Sequence, residues 1–281
     1  MVQAHTPIPR PVVALVTGCS SGIGRATALA LARSGFTVWA SARKVDAIKE
    51  LENAGCHTIG LDVTDEGSLT RAVATITAAS GPITILVNNA GYSQPGAVEE
   101  LPLRAYRAQF ETNVFGLIRL CQLVLPGMRE RNRGTIVNLG SGAGLVAPPL
   151  SSAYAMSKYA LEAFSDSLRF ETARFGIRTI LIEASAINTS FTDTLERALP
   201  PQPDDSAYRV VTRNVLRFAR NEGDNGIPAE RVADTIVRAI LSTRPRARYK
   251  VGSQAHIAPL ARSALGDRLW DKVMARLVRA E

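Results

Sequence analysis

Cysteine and histidine are scarce: there are three of each in 281 residues, with Cys19, Cys56 and Cys121 far apart and His5, His57 and His256 equally scattered. No C-x-x-C pair or clustered His spacing occurs. That argues against a disulfide framework, a metal site and a locally encoded histidine triad. Long apolar runs are also missing. No segment approaches the roughly 18 apolar residues of a membrane-spanning helix, and residues 1–11 lack the continuous apolar stretch of a signal peptide. The expectation is a cytoplasmic protein with a loose tail over residues 1–11 and no transmembrane segment.

Basic residues exceed acidic ones, 33 against 25, for a formal charge of +8. The excess is mostly arginine, as at Arg129, Arg131 and Arg133 and again at Arg244, Arg246 and Arg248, but it is spread among acids along the chain. No aromatic-plus-basic pattern accompanies it, so nucleic acid is not the expected partner. Attraction of an anionic cofactor is the more economical use of such a field.

With 46% hydrophobic residues the chain can bury a large core. Short β-branched runs at 12–17, 37–41, 57–61, 83–88, 135–139, 178–183 and 248–251 alternate with helix-length periodic segments. Strand–helix alternation predicts an α/β fold: one doubly wound, Rossmann-type domain over 12–281, with a seven-stranded parallel sheet and helices on both faces.

Two stretches break the rhythm. Residues 188–226 form a long insertion, turn-rich at 199–205 and 222–226, with a helical pattern over 207–220, and read as a substrate lid. In the helical extension over 253–281, Leu265, Leu269, Val273 and Leu277 recur every fourth residue. Such a stripe is expected to pack on the core or on another subunit; a basic membrane-surface helix is the minority alternative.

The first strand runs into Thr17-Gly18-Cys19-Ser20-Ser21-Gly22-Ile23-Gly24, where a helical pattern opens. Glycines there permit a tight turn and close approach of backbone to a pyrophosphate at the helix N-terminus, although taken alone the segment also reads as a plain β-to-α turn. Asn88-Asn89-Ala90-Gly91 follows the fourth strand. Further on come Asn113 in an Asn-Val-Phe-Gly segment, Ser141 after the fifth strand, and Tyr154-Ala155-Met156-Ser157-Lys158.

In this order and spacing, with Ser141 thirteen positions ahead of Tyr154, the segments resemble the short-chain dehydrogenase/reductase family over almost the whole chain. The strand end at 37–43 and the tail after Tyr249 look most similar to its hydroxysteroid and retinol dehydrogenase branch. The resemblance implies a catalytic set of Asn113, Ser141, Tyr154 and Lys158. It implies cofactor contacts from Thr17, Gly18, Ser20, Ser21, Gly22, Ile23, Gly24, Asp62, Val63, Asn89, Ala90, Gly91, Tyr154, Lys158, Ile187 and Thr189. It also implies that Lys158 grips the nicotinamide ribose, that Asn113 positions a water, and that Asp62 contacts the adenine.

Tyr154 and Lys158, four apart, share one helix face. A phenol of ordinary pKa about 10 is a poor base at neutral pH, and a neighbouring ammonium together with the nicotinamide cation is expected to lower that value. Tyr154 then moves the proton on the reacting oxygen while Ser141 hydrogen-bonds it. At the end of the second strand Ala42 occupies the place of the acid that reads a ribose 2′-hydroxyl, and Arg43 and Lys44 follow, which favours the 2′-phosphate of NADP(H).

After the sixth strand the family pattern P-G-x-[VI]-x-T is replaced by Ala184-Ser185-Ala186-Ile187-Asn188-Thr189, which puts the path into the lid in question. The reading that follows is an NADP-dependent oxidoreductase moving hydride between nicotinamide and a carbonyl or secondary alcohol. Leu145, Val146, Pro148, Leu150, Phe191 and Leu195 point to a fairly large apolar substrate. Relatives pair through the helices after the fourth and fifth strands, so a homodimer or homotetramer is expected. A nucleotide-binding regulator with little catalysis is the alternative, against which the intact Asn113, Ser141, Tyr154 and Lys158 stand. A sugar-nucleotide epimerase or dehydratase would need a substrate domain that the chain is too short to supply.

Overall fold

The computed structural model describes residues 12–189 and 191–278, and for residues 277 and 278 only the backbone. The expected tail over 1–11, Ser190 within the lid, the side chain of Leu277 and the last three residues of the C-terminal extension lie outside it.

From β1 (Val13–Val16) the chain enters α1 (Gly22–Arg33), β2 (Thr37–Ala42), a 3₁₀ segment (Val45–Ala54), β3 (His57–Gly60), α2 (Glu66–Ser80) and β4 (Ile83–Asn88). It continues through α3 (Leu103–Phe110), a π-helical turn (Glu111–Phe115), α4 (Gly116–Glu130), β5 (Gly134–Leu139), a 3₁₀ turn (Gly142–Gly144), α5 (Ser152–Thr172) and β6 (Ile177–Ala184). Then come β7 (Ile187–Asn188), α6 (Phe191–Ala198), α7 (Arg209–Asp224), β8 (Ile227–Pro228), α8 (Ala229–Leu241), β9 (Arg248–Val251) and α9 (Ser253–Val278).

Seven strands form one sheet in the order β3-β2-β1-β4-β5-β6-β9, and every neighbouring pair is parallel. The expected doubly wound sheet is present. Strand alternation sorts the side chains: Ala14, Val16, Val38, Ala40, Val87 and Val137 pack with α1 and α8, while Val13, Leu15, Leu86 and Ile136 pack with α2, α4 and α5. Leu31, Leu120 and Leu161 are fully buried in these layers. Truncating any of them to Ala would cost about 2–5 kcal/mol by the usual range.

Polar residues under the sheet pair with each other. Asn88 Nδ2 donates to Asn138 Oδ1 at 2.9 Å, and Asn138 Nδ2 donates to Ser165 Oγ at 2.9 Å. This chain ties β4, β5 and α5 together directly below the carboxyl ends of the strands. The strand order reverses between β1 and β4, so the loops that leave these two strands diverge around a crevice.

Two expectations need correction. The insertion holds two helices where one was read: α6 was missed, and α7 runs Arg209–Asp224 instead of 207–220. The C-terminal extension is broken at Gly266 (φ 64, ψ 172), and Leu265, Leu269 and Val273 are exposed, so the stripe does not pack on this chain's own core, one of its two expected partners; Ala255 and Trp270 are the buried anchors of α9.

Candidate active site

The glycine turn after β1 is locked onto the loop after β4. Thr17 Oγ1 accepts from the backbone N–H groups of Asn89 and Ala90, both at 3.0 Å, and Asn89 Nδ2 donates to Thr17 O at 2.8 Å and Gly18 O at 3.1 Å. Gly18 has φ +72. A Cβ at Gly24 would fall 2.4 Å from Gly18 O, so the turn closes only without a side chain there. Ser21 is the N-cap of α1, and the first turn carries no acid.

A helix N-terminus with no acid in its first turn, behind a glycine turn that lets backbone approach closely, fits a pyrophosphate. Ser20 is exposed beside the cap and Ile23 packs against the core. Across the turn, the Thr189 methyl stands 3.1 Å from where a Cβ of Gly22 would be.

β2 ends in buried Ala42, after which Arg43 and Lys44 are exposed. Neither side chain makes a hydrogen bond or ion pair with the described residues. Asp62, after β3, is held by Thr64, whose N–H and hydroxyl donate to its Oδ1 at 2.9 and 2.8 Å. Val63 touches the start of α4, where its carbonyl oxygen would be 2.2 Å from a Cβ of Gly116.

Asn113 lies in the π-helical turn between α3 and α4. The extra residue in that turn interrupts the helix at a site-facing position. Its Oδ1 accepts from Tyr92 N at 3.1 Å, and its Nδ2 donates to Tyr92 O at 3.0 Å and to Ser157 Oγ at 3.1 Å. Gly91 packs on the same amide. Ser157, one position before Lys158, and buried Gln109, one helical turn before Asn113, were not among the expected site residues. Gln109 Nε2 donates to Tyr92 O at 2.8 Å and its Oε1 accepts from Gln94 N at 2.7 Å. The i, i+4 spacing of Gln109 and Asn113 was the available signal.

Ser141, two residues after β5, caps the following 3₁₀ turn, accepting from Ala143 N at 3.1 Å. Tyr154 and Lys158 rise from one face of α5, the Lys158 Nζ 5.6 Å from the Tyr154 ring centroid. Nζ donates to Leu139 O at 2.6 Å. Burial depresses the Lys158 pKa from 10.5 to about 8.

The Tyr154 hydroxyl is shifted the other way. Burial pushes its pKa above the ordinary 10, and the Ser141 hydroxyl, hydrogen-bonding to it, acts in opposition. The sequence-based expectation of a lowered Tyr154 pKa is therefore corrected for the protein chain alone, because desolvation of the phenolate outweighs the favourable interactions in this pocket.

The lid approaches this cluster from above. Ser185 N–H and Oγ both donate to Val251 O, at 2.9 and 3.2 Å, in place of the Pro-Gly turn. The chain then pairs β7 with β8 and delivers Ile187 onto the core and Thr189 onto the glycine turn. Phe191, first residue of α6, lies against the Tyr154 ring at 5.9 Å between centroids. The far end of the lid is tied to the loop after β4. Gln94 Nε2 donates to Ala198 O at 2.6 Å, Tyr208 OH donates to Glu99 Oε2 at 2.7 Å, and the Ser206 hydroxyl donates to Glu100.

Of the residues flanking the site, Val146 is buried, Leu145 and Leu150 are half-buried, and Pro148 is exposed. Leu150 takes a left-handed backbone (φ 60) while its carbonyl accepts from Gly96 N at 2.9 Å, a strained position that joins the loops after β4 and β5. The arrangement gives two hydroxyls, Ser141 and Tyr154, meeting beside a buried amine at the carboxyl edge of the sheet. It can hold a carbonyl or alcohol oxygen and exchange a proton with it.

Comparison with known proteins follows the same lines. A family profile described as short chain dehydrogenase matches residues 12–199. The uncharacterized oxidoreductase YusZ of Bacillus subtilis is 38% identical, covering 94% of this chain and 97% of that protein. The 3-ketodihydrosphingosine reductase of Bacteroides thetaiotaomicron is 34% identical over 86% of this chain and 88% of its own length, and human retinol dehydrogenase 8 is 34% identical over 84% and 79%.

Among solved structures, a short-chain dehydrogenase from Streptomyces avermitilis superposes with a TM-score of 0.79 at 32% identity, covering 94% of this chain and 97% of that one. A short chain dehydrogenase/reductase from Burkholderia phymatum in complex with NAD gives 0.78 at 26% identity over 96% and 97%. A serine dehydrogenase complexed with NADP+ gives 0.75 at 25% identity over 85% and 94%.

Proposed function

The chain belongs to the short-chain dehydrogenase family, and we propose that within it the protein is an NADP(H)-dependent oxidoreductase acting on a carbonyl or secondary alcohol of a fairly large apolar molecule. The observation that carries the reading is the meeting of Ser141, Tyr154 and Lys158 at the carboxyl edge of the sheet, with the Arg43 side chain at the β2 end making no pair with the described residues. Retinol dehydrogenase 8 and 3-ketodihydrosphingosine reductase, by their names, act on an apolar alcohol and on a ketone of a long-chain base, and this supports the substrate class.

The glycine turn, the α1 N-terminus, Asp62-Val63, Asn89-Ala90-Gly91, Ile187 and Thr189 would hold a dinucleotide, whose nicotinamide would supply or accept hydride at the substrate carbon. Tyr154 gives its phenolic proton to the carbonyl oxygen in reduction and takes the alcohol proton in oxidation. Ser141 donates a hydrogen bond to the same oxygen and fixes its place between the two hydroxyls. The Lys158 ammonium stabilises the phenolate left behind, most strongly in a site from which water is excluded. Asn113, clamped on both sides of Tyr92 and on Ser157, keeps α5 and the loop after β4 in register; by family resemblance it also holds the water that connects Lys158 to solvent. Phe191 and the lid cover the pocket.

The same reading makes the protein a cytoplasmic homo-oligomer. Phe115 just before α4, and Met156, Tyr159 and Phe170 on α5, are exposed, which suits a subunit contact through these helices. Cys19, Cys56 and Cys121 are free and buried, compatible with a reducing compartment.

The test is a panel of apolar ketones and secondary alcohols with NADPH/NADP⁺ and NADH/NAD⁺, followed by nicotinamide absorbance. Turnover favouring NADP(H) is expected. Tight NADPH binding with no turnover on any carbonyl would instead make the protein a nucleotide-binding regulator.

A further inference from the structure

The mechanism leaves α9 unused, and α9 is the element whose surface is least explained by folding. Sixteen large apolar residues are exposed among the described residues, and five of them, Ile257, Leu260, Leu265, Leu269 and Val273, stand on this helix. In the half before Gly266, Ala255 is fully buried whereas Ile257 and Leu260 are 62% and 69% exposed. In the half after it, Trp270 is the buried anchor, and Leu269 and Val273 lie outward among exposed Arg268, Lys272 and Arg276. Each half is thus apolar on the side that packs and apolar again on the side that does not.

Charge on this helix is mixed with a basic excess: Arg262, Arg268, Lys272 and Arg276 stand against the exposed Asp267 and Asp271. Of the two acids on the described helix, Asp267 pairs with Arg262 at 3.0 Å, and Asp271 lines a cavity of about 320 Å³ between α9 and Pro148, Pro149 and Tyr159. Arg268, Lys272 and Arg276 form no ion pair with the described residues.

No described helix is long and apolar enough to cross a membrane. Apolar side chains interleaved with cations suit a helix lying in the interface, its apolar side in the headgroup–acyl boundary and its basic side chains reaching lipid phosphates. A second copy of the chain fits less well at this face, because a two-fold contact through α9 would set Arg268, Lys272 and Arg276 of the two copies against one another. Location adds a functional reason. α9 packs on the lid helix α7 and on the 3₁₀ turn that follows Ser141, so whatever α9 rests on also borders the covering of the pocket.

We propose that α9 is a membrane-docking helix that seats the protein peripherally on an anionic bilayer, with Ile257, Leu260, Leu265, Leu269 and Val273 entering the interface and Arg268, Lys272 and Arg276 binding acidic headgroups. Docking of this kind leaves the chain on one side of the membrane and brings the lid to the surface where an apolar substrate would be dissolved. The surface is independent of the substrate reading, since it is measured without turnover.

The experiment is flotation of the full chain with vesicles of mixed phosphatidylglycerol and phosphatidylcholine, and with phosphatidylcholine alone. The protein is expected to float with the mixed vesicles, to float far less with phosphatidylcholine, and to be released progressively by salt. Ile257→Glu with Leu260→Glu should abolish flotation. Lys272→Gln with Arg276→Gln should weaken it roughly 25-fold, about fivefold per cation. Both pairs of positions are solvent-exposed, and an unchanged thermal midpoint identifies variants that have kept the fold. A wild-type chain that ignores anionic vesicles overturns the proposal, as do folded Ile257/Leu260 variants that float like wild type. If the wild type fails to float and those variants lose an oligomer in sedimentation velocity, the face belongs to a second copy.

Discussion

Phe191 leans on Tyr154, the two ring centroids 5.9 Å apart and the planes inclined by 55°. The first residue of the lid's first helix therefore touches the residue assigned the proton transfer, which makes the lid part of the pocket wall and not only its cover. Tilted ring pairs of this kind contribute about 0.5–1.5 kcal/mol beyond area burial. Phe191→Ala should raise KM for apolar substrates roughly tenfold while changing kcat less, because it removes wall without removing the acid. A fall in kcat with KM unchanged would place Phe191 in orientation of Tyr154 instead.

Tyr154→Phe keeps the ring and its contact with Phe191 but deletes the proton. Turnover should drop by at least about two orders of magnitude with NADPH affinity nearly intact. Ser141→Ala should follow it, while Ser151→Ala, at the start of α5, should be mild. A Tyr154→Phe enzyme with ordinary turnover would reject the assigned acid.

Lys158 sets a pH limit. Its pKa is depressed to about 8, so the free protein loses the ammonium as pH rises through that value, and kcat/KM for reduction should decline there. The effect on stability has the opposite slope. An unfolded lysine keeps its proton to about 10.4, so between about 8 and 10.4 the unfolded chain binds more protons and the Lys158 contribution to stability rises with pH. Urea midpoints of wild type and Lys158→Met, compared at pH 7 and pH 9.5, should show the wild type gaining on the variant at the higher pH. Parallel midpoints would mean that Lys158 titrates normally in the fold.

Arg43 is expected to select the nucleotide by a charge-assisted pair with the 2′-phosphate. Such bonds contribute about 1.5–3 kcal/mol, so Arg43→Ala should weaken NADPH roughly 10- to 100-fold and NADH hardly at all. Ala42→Asp with Arg43→Ile should reverse the preference, since a carboxylate accepts from a ribose hydroxyl and repels phosphate. Dissociation constants at one ionic strength decide it, and equal losses for both nucleotides would assign Arg43 to the fold.

The lid over 188–226 is expected to open through the tethers that hold it: Gln94 to Ala198, Glu99 to Tyr208 and Glu100 to Ser206. Glu100→Ala should speed hydrogen exchange over α6 and the segment before α7 without touching the sheet, and joint binding of cofactor and substrate should slow it again. Uniform protection of the lid in the free wild-type protein would show that it does not open.

The inner strands β1, β2, β4, β5 and β6 were legible in the sequence as short apolar runs that are buried almost throughout. The edge strands β3 and β9, only partly buried, were legible from their place in the strand–helix alternation. Order and spacing likewise marked Thr17 to Gly24, Asn113, Ser141, Tyr154 and Lys158 as one set, since turn chemistry and an i, i+4 pair are local properties. What the local pattern could not carry was set by neighbours distant in sequence. α6 was hidden because it is only eight residues long, and its last carbonyl is held from a distance by Gln94 of the loop after β4. Ser185 replaces the expected turn only because Val251, 66 residues on, offers its carbonyl. The C-terminal stripe, expected to pack on the core or on another subunit, does not pack on this chain's own core, because Gly266 breaks the helix and Trp270 takes the anchoring place. The direction of the Tyr154 shift depended on desolvation, which sums over everything packed around a group and is fixed only when the chain has folded.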